Sequence, residues 1–155
     1  DRPPDARLVM TGGPGRADGE VRAAASATGL GERIVLTGRI PVAELDALLA
    51  GAAVVAFPSV YEGFGIPVLE ALAAGVPVVV GAGTPAAEMA GDPAPVDDPS
   101  NPAAWAEALD LLLGDADRRH RVARAGLARV VGRTWEESAA RLEDAWRRLL
   151  AAGGS

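Results

Sequence analysis

The feature that most constrains this chain is an alternation of short, continuously apolar, β-branched runs with longer amphipathic stretches. The runs are ARLVMT (6–11), RIVLTG (33–38), AVVAFP (53–58), PVVVG (77–81) and APVD (94–97). A strand with one wet face alternates apolar and polar residues, whereas a strand covered by helices on both faces stays apolar throughout. Continuous runs therefore predict buried strands of a parallel sheet. The stretches 19–29 and 42–51 are long enough to be crossover helices of βαβ units. The expected class is α/β, doubly wound. Beyond the last run the pattern is helical only, over 101–114, 115–132 and 134–152. Asn101 before Pro102, and Thr134 three residues before Glu137, have the spacing of helix starts, while Gly114 and Gly132 suit helix ends.

With 155 residues the chain has length for one domain with its own core. Hydrophobic residues at 49% and charged residues at 23% argue for a folded chain over a disordered one. All 15 basic residues are arginine and the formal net charge is −6, so no basic field exists to steer the chain onto nucleic acid or an anionic membrane. No nucleic-acid partner is expected, and membrane association is not indicated. The absence of cysteine and the single histidine rule out disulfides, thiolate metal sites and histidine clusters, so no metal is expected. No apolar run approaches the roughly 20 residues of a spanning helix, and Asp1-Arg2-Pro3-Pro4 does not open a signal peptide. A soluble, cytoplasmic protein is the expectation. The chain begins without methionine only a few residues before its first strand, which reads as an internal piece of a longer protein.

The chemistry is expected in YEGFGIPVLE (61–70), directly after the run at 53–57. In a parallel sheet this segment falls beyond the carboxyl ends of the strands, where open α/β sheets bind ligands. Pro67 suits the first turn of a helix reaching about Ala74, stopped by Gly75 and Pro77. The amides of Gly65, Ile66, Val68 and Leu69 would then be free at the positive end of the helix dipole, a site for phosphate. Glu62 in the loop and Glu70 one turn into the helix can serve one pocket from different elements. An ionised carboxylate only accepts hydrogen bonds and can accept from both hydroxyls of a vicinal diol. Phosphate between two diol readers suggests a nucleotide sugar.

The phrase EGFGIPVLEALAAGVPVVV, Glu62 to Val80, resembles the signature of retaining glycosyltransferases of the GT-B fold, especially glycosyltransferase family 4. The resemblance runs from about Ala6 to Leu150, through GGPG (12–15), TGRIPVAEL (37–45) and DPAPVDDPSNPAAWAEAL (92–109). It implies the Rossmann-like, doubly wound C-terminal domain of a GT-B fold, with a helical C-terminal segment. It implies that Glu70 binds the ribose and that Glu62 contacts the donor sugar near its 3- and 4-hydroxyls, as the catalytic candidate in a donor-orienting role. Gly63, Phe64 and Gly65 would offer backbone to that sugar, the Ile66 and Val68 amides would hold the distal phosphate, and Arg39 and Ile40 would contact the base. Such enzymes retain anomeric configuration with no metal or other cofactor, the nucleotide diphosphate sugar being a donor substrate. The family also grips the diphosphate with an Arg and a Lys after the first strand of this domain, and binds its acceptor on an N-terminal domain. Neither is found in this sequence, so residues 1–155 are expected to be a donor-binding fragment, inactive alone and unstable without the central first strand.

Blander roles compete for several residues. Glu70 alone is an acid that could stabilise a helix dipole from the first turn, GGPG a simple turn, Arg39 a surface charge, His120 solvated, and Glu88 a helix cap. Trp105, Trp135 and Trp146 suit core or domain-interface packing. A non-catalytic module that binds nucleotide or nucleotide sugar is the alternative function, and a nucleotide-sugar epimerase of similar fold ranks last.

Overall fold

The structure, a computed structural model, describes residues 6–91 and 96–152. In chain order it contains β1 (Leu8–Thr11), α1 (Asp18–Ala27), a 3-10 turn (Gly31–Arg33), β2 (Ile34–Gly38), α2 (Val42–Gly51), β3 (Val55–Phe57), α3 (Ile66–Ala73), β4 (Val78–Val80), α4 (Pro85–Ala90), α5 (Pro102–Leu113), α6 (Ala116–Val130) and α7 (Trp135–Ala152). The apolar runs up to residue 81 have become strands, and they pair in parallel. The run at 94–97 is reduced: residues 94 and 95 lie outside the described residues, and Val96 forms a single parallel bridge with Gly81.

The α/β class stands, but the sheet is divided. β1 pairs with β2 and β3 with β4, and no pairing joins the two sheets among the described residues. Burial follows the division. Val78 and Val80 of β4 pack with Val68, Ala71 and Leu72 of α3, Ala86, Met89 and Ala90 of α4, and Val130 of α6. Val79 points the other way, into Val96, Leu112 and Val122. The triple valine of β4 is thus covered on both faces, as a continuous apolar strand requires.

β1 corrects the expectation of a buried strand at 6–11. All four of its residues are exposed, Leu8 by 51%, and α1 carries no buried residue. A strand is buried when other elements flank its edges and cover its faces, and β1 has only β2 beside it.

The helix starts form largely as expected. Asn101 Oδ1 accepts the Ala103 N–H at 3.0 Å, with Pro102 beginning α5. Thr134 Oγ1 accepts the Glu137 N–H at 3.1 Å, but the Glu137 carboxylate accepts from Arg141 Nε at 2.9 Å instead of reaching back. Half of a capping box is therefore present. Trp105 is half-buried and donates its indole N–H to the Pro99 carbonyl at 3.0 Å. Trp135 and Trp146 are 81% and 59% exposed, so the core packing considered for them is absent among the described residues.

Candidate functional site

After Phe57 the chain crosses from β3 to α3 through residues 58–65. Ser59 Oγ donates to the Tyr61 carbonyl at 3.0 Å and ties down the near half of this loop. Gly65 closes the far half as the residue that caps α3, with φ 88° and ψ 47°. A Cβ there would sit 3.0 Å from Ala86 Cβ and 3.4 Å from Met89 Cε. Left-handed backbone and close approach to α4 together demand glycine.

α3 begins at Ile66 with Pro67 in its first turn, where a fixed φ and a missing N–H cost nothing. The expectation of four free amides is corrected here. The Val68 and Leu69 N–H groups both donate to the Gly65 carbonyl, at 3.0 and 3.3 Å, because the capping residue already accepts the first bonds of its helix. The Gly65 and Ile66 amides have no partner among the described residues. Val68 has a wholly buried side chain in the α3–β4 core.

Glu62 is half-buried in the loop and Glu70 is exposed on α3. Neither carboxylate has a hydrogen bond or ion pair with a described residue. No acid stands in the first turn of α3, which removes the simple reading of Glu70 as a first-turn charge on the helix dipole. Gly63 and Phe64 are exposed, Phe64 by 50%.

The other expected contacts lie at the carboxyl end of β2. Gly38 has φ 69°, Arg39 is exposed and Ile40 is half-buried. No hydrogen bond or ion pair joins residues 39–40 to residues 62–70. Arg39 instead meets the loop after β1: a Cβ on Gly13 would lie 2.7 Å from Arg39 Nε. GGPG (12–15) is therefore a close approach, and the hydrogen-bonded turn follows it, where the Asp18 N–H donates to the Gly15 carbonyl at 3.2 Å.

Sequence reasoning missed Thr84 and Pro99. Thr84 is buried, accepts the Ala87 N–H at 3.3 Å to cap α4 and donates to the Gly81 carbonyl at 3.0 Å. A threonine directly before a proline had the spacing to show this, whereas Glu88 falls in the first turn and not at the cap. Pro99 Cγ would lie 2.9 Å from a Cβ on Gly81, whose next neighbour is the Ser59 carbonyl at 3.6 Å. The 97–101 loop thus packs on the carboxyl end of β4 beside the start of the 58–65 loop. No signal in the sequence pairs these positions.

An open depression of about 470 Å³ is lined by Gly75, Asp117, His120, Ala123, Arg124 and Leu127, and by none of the residues expected to bind a ligand. Among the described residues no cluster of three or more His, Asp or Glu is placed to hold a metal ion. No described helix is long and apolar enough to cross a membrane.

The sequence profile of glycosyl transferases group 1 matches residues 1–129. A D-inositol 3-phosphate glycosyltransferase of Corynebacterium diphtheriae is 34% identical over 147 residues, covering 92% of this chain and 34% of that protein. The O-antigen chain mannosyltransferase B of Escherichia coli is 39% identical over 113 residues, covering 72% of this chain and 29% of that protein. Among solved structures, sucrose-phosphate synthase from Thermosynechococcus elongatus superposes with a TM-score of 0.84 at 26% identity, over 94% of this chain and 39% of that one. Anabaena HepE in complex with UDP-glucose shares the fold at a TM-score of 0.75 and 23% identity, over 85% of this chain and 38% of that one. The chain spans about a third of the length of the curated relatives it matches.

Proposed function

The chain belongs to the glycosyl transferases group 1 family, and from that premise we propose that it binds the donor in a retaining, metal-independent transfer of a sugar from a nucleotide diphosphate sugar to an acceptor. One observation carries the reading: two unpaired carboxylates, Glu62 and Glu70, flank a helix start whose Gly65 and Ile66 amides are also unpaired among the described residues. Free N–H groups and the helix dipole favour an anion there. Hydroxyls on either side of that anion satisfy the carboxylates, and a nucleotide sugar supplies both polyols and the diphosphate.

In this arrangement Glu70 accepts from the ribose and Glu62 from the transferred sugar, orienting it for reaction as the catalytic candidate. Gly63, Phe64 and Gly65 line that sugar with backbone. The phosphate is held by the Ile66 amide together with that of Gly65, and Val68 leaves the set because its N–H already serves Gly65. Amides aimed at the leaving diphosphate stabilise its growing charge in place of a metal. Arg39 and Ile40 meet the base.

The acceptor site belongs, in this reading, to an N-terminal domain of the same polypeptide, and the 155 residues bind donor without transferring it. A parallel strand pairing with the free edges of β1 and β3 would join the two sheets and cover Leu8, Val9 and Met10. The division of the sheet and the exposure of β1 support this.

Calorimetric titration with UDP, GDP, ADP and their sugar conjugates, UDP-glucose included, tests the proposal. One nucleotide series is expected to bind. Glu70→Ala should weaken it roughly 10- to 100-fold, the scale of hydrogen bonds to a charged acceptor. A folded chain that binds none of them, or binds equally well without Glu70, refutes the donor site.

A further inference from the structure

α7 buries no residue over its 18-residue length, yet its sequence is that of a helix with a partner. At about 3.6 residues per turn, Trp135, Leu142, Trp146, Leu149 and Leu150 fall within an arc of about 100°. They are 81, 61, 59, 68 and 74% exposed. A contiguous apolar stripe of this kind on a surface marks an interaction site. Away from the stripe the helix is charged and carries its own ion pairs, Glu137–Arg141, Glu143–Arg147 and Asp144–Arg148.

The order of charges along α7 says what covers the stripe. Glu136 and Glu137 stand six and five residues before Leu142, and Arg148 and Arg147 stand six and five residues after it. Trp135 and Leu149 stand seven residues to either side. A second α7, turned end for end about a two-fold axis at Leu142, therefore sets Trp135 against Leu149 and Trp146 against the small Ser138 and Ala139. It also sets the acidic end of each helix against the basic end of the other. Glu136 and Arg147 are separated by about three turns, so they share one flank of the stripe, and a two-fold keeps like flanks together. Each Glu136 thus meets Arg147 of the other copy, whereas a parallel pair would set like charges side by side. Anionic lipid is the poorer match, because the acids of α7 (Glu136, Glu137, Glu143, Asp144) outnumber its arginines (Arg141, Arg147, Arg148).

We propose that α7 is a self-association surface, joining two copies of this chain antiparallel about Leu142. The proposal is independent of the donor site. One helix face per copy stands at the low end of protein interfaces, below about 1,200 Å² in total, so the dimer depends on concentration.

The test is sedimentation equilibrium of the 155-residue chain from about 1 to 200 μM, with far-UV circular dichroism and melting temperature as controls of folding. A monomer–dimer equilibrium is expected. Leu142→Arg, which sets a charge against its own copy on the axis, should weaken it at least about 100-fold. Glu136→Arg and Arg147→Glu should each weaken it roughly 10-fold, and the two together in one chain should restore it, because the swapped residues still meet opposite charge. Since the chain has no cysteine, Leu142→Cys should cross-link to its own copy on mild oxidation. Trp135→Cys and Leu149→Cys should each fail to cross-link alone and succeed when mixed. Hydrogen exchange in α7, fast in the monomer, should slow as concentration rises.

A chain that stays monomeric over this range overturns the proposal. Binding of that monomer to phosphatidylcholine–phosphatidylglycerol vesicles then assigns the face to lipid, and no binding leaves it to a segment outside the 155 residues. A dimer that survives Leu142→Arg is built elsewhere and overturns it equally. Cross-linking of all three cysteine variants to themselves marks a parallel pair and overturns the antiparallel register, as does a double swap no better than either single reversal.

Discussion

Gly65 is constrained twice, by a φ of 88° and by the Ala86 Cβ 3.0 Å from where its own would stand. The left-handed backbone alone disfavours any Cβ by about 1–2 kcal/mol, and forcing a methyl against packed neighbours typically adds about 1–3 kcal/mol. Gly65→Ala should therefore lower unfolding stability in urea by at least about 2 kcal/mol, and donor affinity with it. Gly63→Ala is the control, because nothing lies within 4 Å of where a Cβ on Gly63 would stand, and its loss should be small. Equal effects of the two would show that neither the left-handed backbone nor the Ala86 contact demands glycine at 65. The need for glycine at 65 was legible in the EGFG phrase, as were the two carboxylates that bracket it. The diversion of the Val68 amide is as local, since a residue that caps a helix accepts the first bonds of that helix, and a start at Ile66 takes Val68 and Leu69 out of the free amides. The Gly13–Arg39 contact was hidden: a glycine states in sequence that space is needed, never which distant side chain uses it.

At the scale of elements, hydrophobic runs and capping residues mark where helices and strands begin and end. Asp115 is an instance in α6. Its carboxylate accepts the Arg118 N–H at 2.8 Å, and this bond, aided by the Arg121 and Arg118 charges, holds its pKa below the ordinary value. A carboxyl group with a depressed folded-state pKa contributes stability above its unfolded value, near about 3.9, and loses it as pH falls through the folded value. The urea midpoint should accordingly fall on acidification below about pH 4. Asp115→Asn, which keeps a capping oxygen without the titration, should flatten that part of the profile. A profile identical to wild type would remove Asp115 from the account. Capping was legible because it is local, three residues at most. The packing of α3 against α6 was not: Gly126 admits Leu72, whose Cδ2 would be 2.6 Å from a Cβ there, and those residues are far apart in the chain.

Over the whole molecule, order of burial should set order of opening. β4 and α3 are buried in the main core, while β1, α1 and α7 bury no residue. α7 shows the imbalance clearly. One side carries the exposed ion pairs Glu137–Arg141, Glu143–Arg147 and Asp144–Arg148, and Trp135, Leu142, Trp146, Leu149 and Leu150 are exposed as well. Native-state hydrogen exchange should find the slowest amides in β4 and α3 and fast exchange through α7, α1 and β1. Slow exchange in β1 matching that in β4 would contradict the division of the sheet. The α/β class, the element order, the helix caps and the acid–glycine–proline phrase were determined by the sequence itself, because each depends on periodicity, backbone freedom or hydrogen bonds within a few residues. Only the tertiary structure decided which apolar runs are buried and which side chain Gly13 makes room for, because both depend on what the fold brings alongside.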